Sequence, residues 1–231
     1  MVNSAIILAG GKGERLRPYT NDRPKVMVEV SGKPILLWQL EWLKSHGITK
    51  FVITASYKYE VIKEYFEDGS KFGVEIEYSI EETPLGRGGA IKKAFQAKIL
   101  AGVENVVVTN GDIITKVDVT KMIKFHEERS ALVTQLVIPY LSRWGIVELD
   151  QEDHVIGYRE KPKLPYWING GIYIFNREIE PELPEKGDHE YETFPHLDKE
   201  RYFGFKDEGF WRAVDVVKDK SEAEQFLNSF S

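Results

Sequence analysis

Residues 4–33 read SAIILAGGKGERLRPYTNDRPKVMVEVSGK, an apolar run followed by a glycine-rich, basic segment. Its first part, residues 4–9, is a short apolar run without polar alternation. Such a run is typical of a strand buried on both faces of a parallel sheet. Glycines at positions 10, 11 and 13 end the run. Because glycine permits positive φ and leaves backbone N–H groups accessible, we expect a loop here that wraps an oxygen-rich anion.

Five cations follow the first glycines within fourteen residues: Lys12, Arg15, Arg17, Arg23 and Lys25. The whole chain carries a formal net charge of -6. Positive charge concentrated against an acidic background favours a compact target such as a phosphate chain, and we expect no nucleic-acid partner. A solvated, basic surface loop is the alternative for these residues.

Two common phosphate loops do not fit the spacing. No G-x-x-x-x-G-K-[ST] string occurs here, and Leu16 stands where the dinucleotide fingerprint G-x-G-x-x-G needs its third glycine. The broken fingerprint argues against a dinucleotide-binding oxidoreductase. Pro18 and Pro24 disfavour a helix, so we predict an extended loop that folds over its ligand.

Two later segments also combine glycines with acids. Residues 81–90 read EETPLGRGGA and open a predicted helix that runs to about residue 99; a tight turn and a ligand loop fit them equally. A fully apolar run at 105–109 ends in Asn110-Gly111-Asp112. A carboxylate at the carboxyl end of a central strand lies where open α/β sheets bind ligands, although Gly-Asp is also ordinary turn chemistry.

These motifs closely resemble the signature of the sugar-1-phosphate nucleotidylyltransferases, or NDP-sugar pyrophosphorylases. The resemblance rests on Gly10-Gly11-x-Gly13-x-Arg15-Leu16-x-Pro18-x-Thr20, Pro24-Lys25-x-Met27-Val28 and Gly32-Lys33-Pro34-Ile35-Leu36. It implies that a sugar 1-phosphate attacks the α-phosphorus of a nucleoside triphosphate and that pyrophosphate leaves. Mg²⁺ is the implied cofactor, since hard oxygen ligands suit Mg²⁺ bridging substrate phosphates.

The resemblance also implies residue roles on the nucleotide side. The expected nucleotide-binding residues are Leu8, Gly10, Gly11, Gly13, Arg15, Lys25, Glu81, Pro84, Gly86 and Asp112. Of these, Arg15, Lys25 and Asp112 are the expected catalytic residues, and Asp112 is the expected metal ligand. Gly86 would approach the base and Glu81 would read an exocyclic amine. Arg87 departs from the small residue usual in the family.

Residues 158–162 (YREKP) and 169–173 (NGGIY) resemble the family elements E-K-P and N-[AG]-G, which hold the sugar phosphate. Lys161 would pair with the phosphate, Glu160 would accept sugar hydroxyls, and Asn169 would orient the ring. Gly145 and Trp211 complete the expected sugar-phosphate set. A charge run before proline is otherwise typical of a solvated strand end.

The second metal ligand is expected within residues 209–219, which read GFWRAVDVVKD. Most of the family has W-x-D-[IV]-G-T-P, and the form found here is nearer to that of glucose-1-phosphate cytidylyltransferases. The compact body resembles short guanylyl- and uridylyltransferases. Asp215 is the expected ligand, with Asp219 as the alternative.

Strand and helix patterns alternate along the first half of the chain, which predicts a doubly wound, mostly parallel, Rossmann-like α/β sheet. Past a helix at about residues 119–129 several strands follow in succession, so we expect a mixed sheet with a small antiparallel sugar-binding extension. A helix over about residues 220–230 closes the chain. Without linker-like composition, the prediction is a single domain over 1–231, with nucleotide-binding (1–130) and sugar-phosphate-binding (131–231) halves.

The composition, 42% apolar and 29% charged, is that of an ordinary globular protein, and the lack of cysteine excludes disulfides and thiolate metal sites. The first apolar run is too short for a signal peptide or membrane span, so we expect a cytoplasmic protein with no membrane partner. Hexapeptide repeats are absent, so we expect no appended β-helix, and either a monomer or a homodimer.

Several pairs of substrates fit these motifs. GTP with mannose 1-phosphate or a related sugar is the first choice, and glucose 1-phosphate with UTP, dTTP or CTP is the alternative. Discrimination among the nucleotide bases rests on one or two hydrogen bonds, each worth ~1 to 3 kcal/mol. A non-catalytic module that senses a nucleotide or sugar nucleotide also stays open, as does transfer to phosphocholine, although the sugar-phosphate motifs favour a sugar.

Overall fold

A computed structural model describes residues 2–229. The strands are β1 (Ser4–Leu8), β2 (Glu29–Val30), β3 (Lys33–Pro34), β4 (Lys50–Ala55), β5 (Glu75–Ile80), β6 (Asn105–Asn110), β7 (Ile113–Thr115), β8 (Val133–Leu141), β9 (Ile146–Leu149), β10 (Val155–Arg159), β11 (Lys163–Asn176), β12 (Tyr202–Lys206) and β13 (Trp211–Ala213). The α-helices are α1 (Ile35–Ser45), α2 (Tyr59–Phe66), α3 (Gly86–Ala94), α4 (Val119–Glu128), α5 (His189–Glu192) and α6 (Val217–Asn228). Short 3-10 turns cover Glu14–Leu16, Lys25–Met27, Ser70–Phe72, Lys98–Leu100, Arg177–Glu182 and Phe194–His196.

The central sheet has the strand order β12-β8-β11-β6-β1-β4-β5. β1 runs parallel to β4 and β6, β4 runs parallel to β5, and β12 runs parallel to β8. Only β11 is antiparallel to its neighbours in this sheet, β6 and β8. The predicted doubly wound, mixed α/β sheet is therefore confirmed. Since β1, β4 and β6 are parallel, their carboxyl ends meet at one edge of the sheet, where such folds bind ligands.

The central strand β1 is covered on both faces. Ile7 belongs to the core cluster that contains Leu40 of α1 and Phe66 of α2, whereas its neighbour Ile6 belongs to the cluster that contains Phe95. Successive side chains of a strand point to opposite faces, so one residue step changes the cluster. Both isoleucines are fully buried. This double burial explains why the run at the start of the chain lacks polar alternation.

Two predicted helix boundaries were wrong. The helix that opens in residues 81–90 ends at Ala94 instead of continuing to about residue 99, because Ala97 is extended and the Glu77 carboxylate accepts the backbone N–H groups of Lys98 and Ile99 at 3.2 and 3.0 Å. The closing helix α6 begins at Val217 instead of at about residue 220. Its predicted end at Phe230 lies outside the described residues.

The antiparallel part of the second half includes a separate ribbon of β9 and β10. Two further pairs, β13 with β7 and β2 with β3, lie outside the central sheet. The central sheet itself takes strands from both predicted halves of the chain. Across residues 2–229, none of the helices has the length and apolar character needed to cross a membrane.

Candidate active site

The glycine loop after β1 is held in place by side chains beneath it. Gly13 has φ of 68°, and a Cβ there would lie 2.9 Å from both Lys25 Cβ and Thr20 Cγ2. Thr20 Oγ1 donates a hydrogen bond to the Gly13 carbonyl at 2.8 Å. Leu16, which breaks the dinucleotide fingerprint, is fully buried. The loop is therefore not simply extended as predicted: it closes in two 3-10 turns around a buried leucine.

Asp112 reaches the same edge of the sheet because the end of β6 lies tightly against β1. The Gly111 N–H donates to the Leu8 carbonyl at 2.9 Å, and a Cβ on Gly111 would come within 2.6 Å of that oxygen. Gln39 of α1 supports the turn from behind, since its Nε2 donates to the Asn110 and Ile113 carbonyls at 2.7 and 3.0 Å. Glycine is thus required at position 111 by close backbone approach.

Asp215 is brought beside Asp112 by the pairing of β13 with β7. The Val214 N–H donates to the Asp112 carbonyl at 2.9 Å, so the next residue emerges next to Asp112. Asp219 takes a different position. Its Oδ2 accepts the backbone N–H groups of Asp215 and Val216 at 3.0 and 2.9 Å at the start of α6. Asp219 therefore holds the backbone that carries Asp215.

Lys25 joins the two carboxylates. Its side chain is largely buried, and Nζ contacts Asp112 Oδ2 and, at 2.5 Å, Asp215 Oδ1. Arg15 Nη2 contacts the same Asp215 oxygen at 3.0 Å. Burial favours the neutral form of Asp215, but the hydrogen bond from Lys25 and the charges of Lys25, Arg15 and Arg143 hold the pKa of Asp215 below its usual range. Two acids thus converge on one cationic nitrogen.

A cavity of about 470 Å³ opens at this edge of the sheet. Most of the predicted nucleotide-binding residues line it: Leu8, Gly10, Gly11, Lys25, Glu81, Pro84, Gly86 and Asp112. Gly13 and Arg15, the two others of the set, lie outside the lining, where Gly13 shapes the loop and Arg15 contacts Asp215. The structure therefore collects most of that set around one space.

Two of these lining residues have additional partners. Glu81 accepts the Leu85 N–H on Oε2 at 2.9 Å; burial raises the pKa of Glu81 against the effects of this hydrogen bond and of the Lys93 charge. Gly86 has φ of 76°, and a Cβ there would lie 2.5 Å from the Gly187 carbonyl oxygen. Packing against Gly187 therefore requires glycine at position 86, besides any approach to a base.

The cavity also contains residues that sequence reasoning missed, among them Thr54, Ser56 and Asp188. Ser56 Oγ donates to the Gly10 carbonyl at 3.1 Å. Thr54 and Ser56 lie at the end of β4, so the rule that ligands gather at the carboxyl edge of the sheet would have found them. Asp188 comes from a distant segment, and the only local sequence pattern that could have indicated it is the Gly187-Asp188 turn.

The predicted sugar-phosphate residues form no part of this lining: Gly145, Glu160, Lys161, Asn169 and Trp211. Lys161 is exposed and has φ of 46°, an uncommon conformation for a residue with a side chain. Trp211 is half-buried and donates from Nε1 to the Gly170 carbonyl at 2.7 Å. Glu160 accepts the Tyr158 hydroxyl at 2.7 Å.

Asn169 is the residue of this set that connects to the cavity. It is exposed, and its Nδ2 donates to the Tyr173 hydroxyl at 2.7 Å and to Glu190 Oε1 at 2.9 Å. Glu190 in turn pairs with Arg87, which lines the cavity. A continuous set of polar contacts therefore joins the two predicted halves of the site.

Comparison with known proteins gives a consistent result. The family model described as nucleotidyl transferase matches residues 4–229. The D-glycero-alpha-D-manno-heptose 1-phosphate guanylyltransferase of Campylobacter jejuni is 43% identical over 76% of this chain and 76% of its own length. The protein of the same name from Aneurinibacillus thermoaerophilus is 37% identical over 98% of this chain and 99% of its own.

A solved structure agrees with the curated relatives. HddC from Yersinia pseudotuberculosis, complexed with GMP-PN, superposes with a TM-score of 0.76 at 28% identity, covering 97% of this chain and 99% of that one. The predicted family is therefore confirmed over nearly the whole length of the sequence. The chain belongs to the nucleotidyl transferase family.

Proposed function

We propose that this protein transfers GMP from GTP to the 1-phosphate of a sugar with the manno configuration and releases pyrophosphate. D-glycero-α-D-manno-heptose 1-phosphate and mannose 1-phosphate are the two proposed acceptors. The observation that carries the proposal is the contact of Lys25 with both Asp112 and Asp215, beside the glycine loop and the cavity. The two guanylyltransferases described above, from Campylobacter jejuni and Aneurinibacillus thermoaerophilus, support guanine and the manno configuration.

The chemistry requires charge neutralisation more than proton transfer. The attacking group is already an anionic phosphate, so a general base is unnecessary. The barrier comes from repulsion between two anions and from charge that develops on the leaving pyrophosphate. Arg15 and Lys25 place fixed positive charge at the mouth of the glycine loop, where backbone N–H groups add further donors. Positioning of the two phosphates supplies the rest of the rate enhancement.

We also propose that Asp112 and Asp215 hold Mg²⁺. Their carboxylates already accommodate one cationic nitrogen between them, and their oxygens are the hard ligands that Mg²⁺ prefers. When bound, the ion would neutralise charge on the triphosphate and on the leaving pyrophosphate. Asp219 would act indirectly, because it holds the backbone of Asp215.

Base recognition is assigned to Glu81. One of its oxygens accepts the Leu85 N–H, and the other lies beside Gly10; both Glu81 and Gly10 line the cavity. A carboxylate oxygen accepts hydrogen bonds and so suits the exocyclic amine of guanine. The roles of the predicted sugar-phosphate residues, the single domain, the cytoplasmic location and the choice between monomer and homodimer stay predictions.

The test is a grid of Mg²⁺-dependent pyrophosphate release. ATP, GTP, CTP, UTP and dTTP are each combined with the 1-phosphates of mannose, D-glycero-D-manno-heptose and glucose, and choline phosphate is the control acceptor. We expect the highest turnover with GTP and one of the two manno acceptors. Highest turnover with glucose 1-phosphate and a pyrimidine nucleotide would replace this proposal with the alternative substrates. Silence in every combination, with nucleotide binding retained in a thermal-shift assay, would indicate a regulatory module.

The metal assignment is tested by Asp112→Ala. We expect Mg²⁺-dependent turnover to fall by at least about a hundredfold, the usual effect of removing a group that stabilises transition-state charge. Asp22→Ala is the matched control, since it removes an exposed carboxylate from the same basic loop. Circular dichroism checks that both variants are folded. Turnover at the wild-type rate in Asp112→Ala would remove Asp112 from the site.

A further inference from the structure

Arg87 is bound to two acids that approach the cavity from the second half of the chain. Its backbone N–H and its Nε both donate to Asp188 Oδ1, at 2.9 and 3.1 Å. Its Nη2 pairs with Glu190 Oε2. Arg87 and Asp188 line the cavity, whereas Glu190 lies outside the lining. One guanidinium therefore contacts the cavity wall and a carboxylate beyond it.

Glu190 carries the connection to Asn169. Its side chain is only 18% exposed, and its Oε1 accepts hydrogen bonds from Asn169 Nδ2 at 2.9 Å and from the Tyr173 hydroxyl at 3.1 Å. The same Asn169 nitrogen contacts the Tyr173 hydroxyl at 2.7 Å. A largely buried carboxylate needs a cationic partner, and Arg87 provides it. On the other side of the amide, Asn169 Oδ1 accepts the Gly171 N–H at 2.8 Å. The Asn169 amide is therefore oriented by two contacts, its own turn through Oδ1 and Glu190, which Arg87 holds, through Nδ2.

The backbone under Arg87 is fixed against the same segment. The N–H groups of Gly88 and Gly89 both donate to the Gly187 carbonyl, at 2.8 and 3.3 Å. A Cβ on Gly88 would come within 2.7 Å of Pro184 Cγ. The start of α3 and the segment before α5 are thus in direct backbone contact, so the Arg87 side chain projects from a defined position.

We propose that Arg87 is a positioning residue for the sugar phosphate: through Glu190 it orients Asn169 and Tyr173, and so links the nucleotide cavity to the sugar side of the site. This inference rests on the proposed function and on the sequence-based prediction that Asn169 orients the sugar ring. The planar guanidinium contacts two carboxylates at once, which a lysine ammonium does not reproduce with the same geometry. Arg87 replaces the small residue usual in the family, and the proposed role of this replacement is to orient Asn169 through Glu190.

A purely structural role for Arg87 is the competing explanation, because its ion pairs also fasten α3 to the segment that follows residue 182. Lys92 offers a matched control. Its Nζ contacts the Leu183 carbonyl at 2.8 Å and Glu185 Oε1 at 2.9 Å, so it ties the same two segments together. Within residues 2–229, Lys92 forms no hydrogen bond or ion pair with Asn169 or Glu190.

The experiment compares Glu190→Gln, Arg87→Lys, the double variant and Lys92→Met with the wild type. Steady-state KM is measured separately for each substrate of the most active pair in the grid above, and Tm is measured for every protein. We expect each single variant to raise the KM for the sugar 1-phosphate about tenfold or more and the KM for the nucleotide by less than about threefold. The double variant should be no worse than the worse single variant, because both break the same connection.

Lys92→Met should lower Tm by a similar amount but leave both KM values within about twofold of the wild type. The inference is overturned if the sugar 1-phosphate KM stays unchanged in both single variants, if both KM values rise equally, or if Lys92→Met shows the same selective rise. The two single variants break the contact between Arg87 and Glu190 from opposite ends. If one of them folds poorly, the KM values of the other still test the inference. An inactive wild type would instead refute the proposed function and this inference with it.

Discussion

A buried histidine should make the stability of this protein depend on pH. His189 is fully buried, and neither ring nitrogen has a hydrogen-bond partner among residues 2–229. Its ring packs edge-on against Tyr173 at 5.3 Å and Phe194 at 4.9 Å between centroids. Burial, assisted by the charge of Arg87 and opposed by that of Asp188, lowers the pKa of His189 to about 4.

The size of the effect follows from linkage. The ordinary pKa of 6.5 applies to the unfolded chain, and the folded pKa is about 4, so the unfolded state binds the proton first as pH falls. The contribution of the neutral His189 to the unfolding free energy is therefore fully present above the unfolded pKa. It is lost as the pH falls from the unfolded pKa to the folded pKa. Between about pH 7.5 and about pH 5, this one imidazole should cost about 2 kcal/mol of unfolding free energy.

The perturbation is His189→Phe, which keeps an aromatic ring among the neighbouring rings and removes the titrating nitrogens. Urea unfolding followed by tryptophan fluorescence at about pH 7.5 and about pH 5 gives the unfolding free energy in each condition. We expect the loss of stability between the two pH values to be about 2 kcal/mol smaller in the variant than in the wild type. At the higher pH, removal of two unpaired buried nitrogens offsets the strain of a larger ring.

Other groups leave part of the pH dependence in place. His126 is also fully buried, and burial together with the charge of Arg201 lowers its pKa to about 4, so it contributes a slope of the same sign in both proteins. The surface variant His196→Gln leaves both buried imidazoles intact and should keep the wild-type slope. Identical losses in His189→Phe and the wild type would refute the reasoning from burial.

Three further variants test how the site is held together. Gly13→Ala should lower kcat and cost about 1 to 3 kcal/mol of stability, because the new Cβ is strained at φ of 68° and meets Lys25 at 2.9 Å. Asp219→Ala should cost about 1 to 2 kcal/mol and raise the Mg²⁺ requirement, because Asp215 loses a backbone anchor at the start of α6. Lys161→Ala should raise the KM for the sugar 1-phosphate far more than that for the nucleotide.

Each of these variants has a matched control. Gly32→Ala introduces the same strain at φ of 78° with nothing within 4 Å, so it should spare kcat. Asp118→Ala removes a carboxylate that accepts the Lys121 N–H at 3.0 Å at the start of α4, and should lower stability without changing the Mg²⁺ requirement. Lys163→Ala removes an exposed lysine near Lys161 and should leave both KM values unchanged. An activity loss shared by variant and control would contradict the assigned role.

Local patterns in the sequence determined the conformation of individual segments, because that conformation depends on residues close together in the chain. The apolar run at the start of the chain predicted a strand buried on both faces, and Ile6 and Ile7 occupy opposite core clusters as expected. Glycine spacing predicted a loop with positive φ after that strand, and Gly13 has positive φ, although the loop contains two 3-10 turns and is not simply extended. The apolar run before Asp112 predicted its position at the end of a central strand. The direction of a parallel strand decides at which edge of the sheet its last side chains emerge.

Long-range pairing decided the rest. Asp215 and Asp219 lie four residues apart with the same chemistry, and the pairing of β13 with β7 is what sets Asp215 beside Asp112 while Asp219 binds backbone N–H groups. Arg87 and Asp188 are 101 residues apart, so no local pattern joins them. Sequence patterns report the conformation of a segment and the faces it buries. Contacts between distant segments depend on how the sheet edges and loops pack, and only the tertiary structure contains that information.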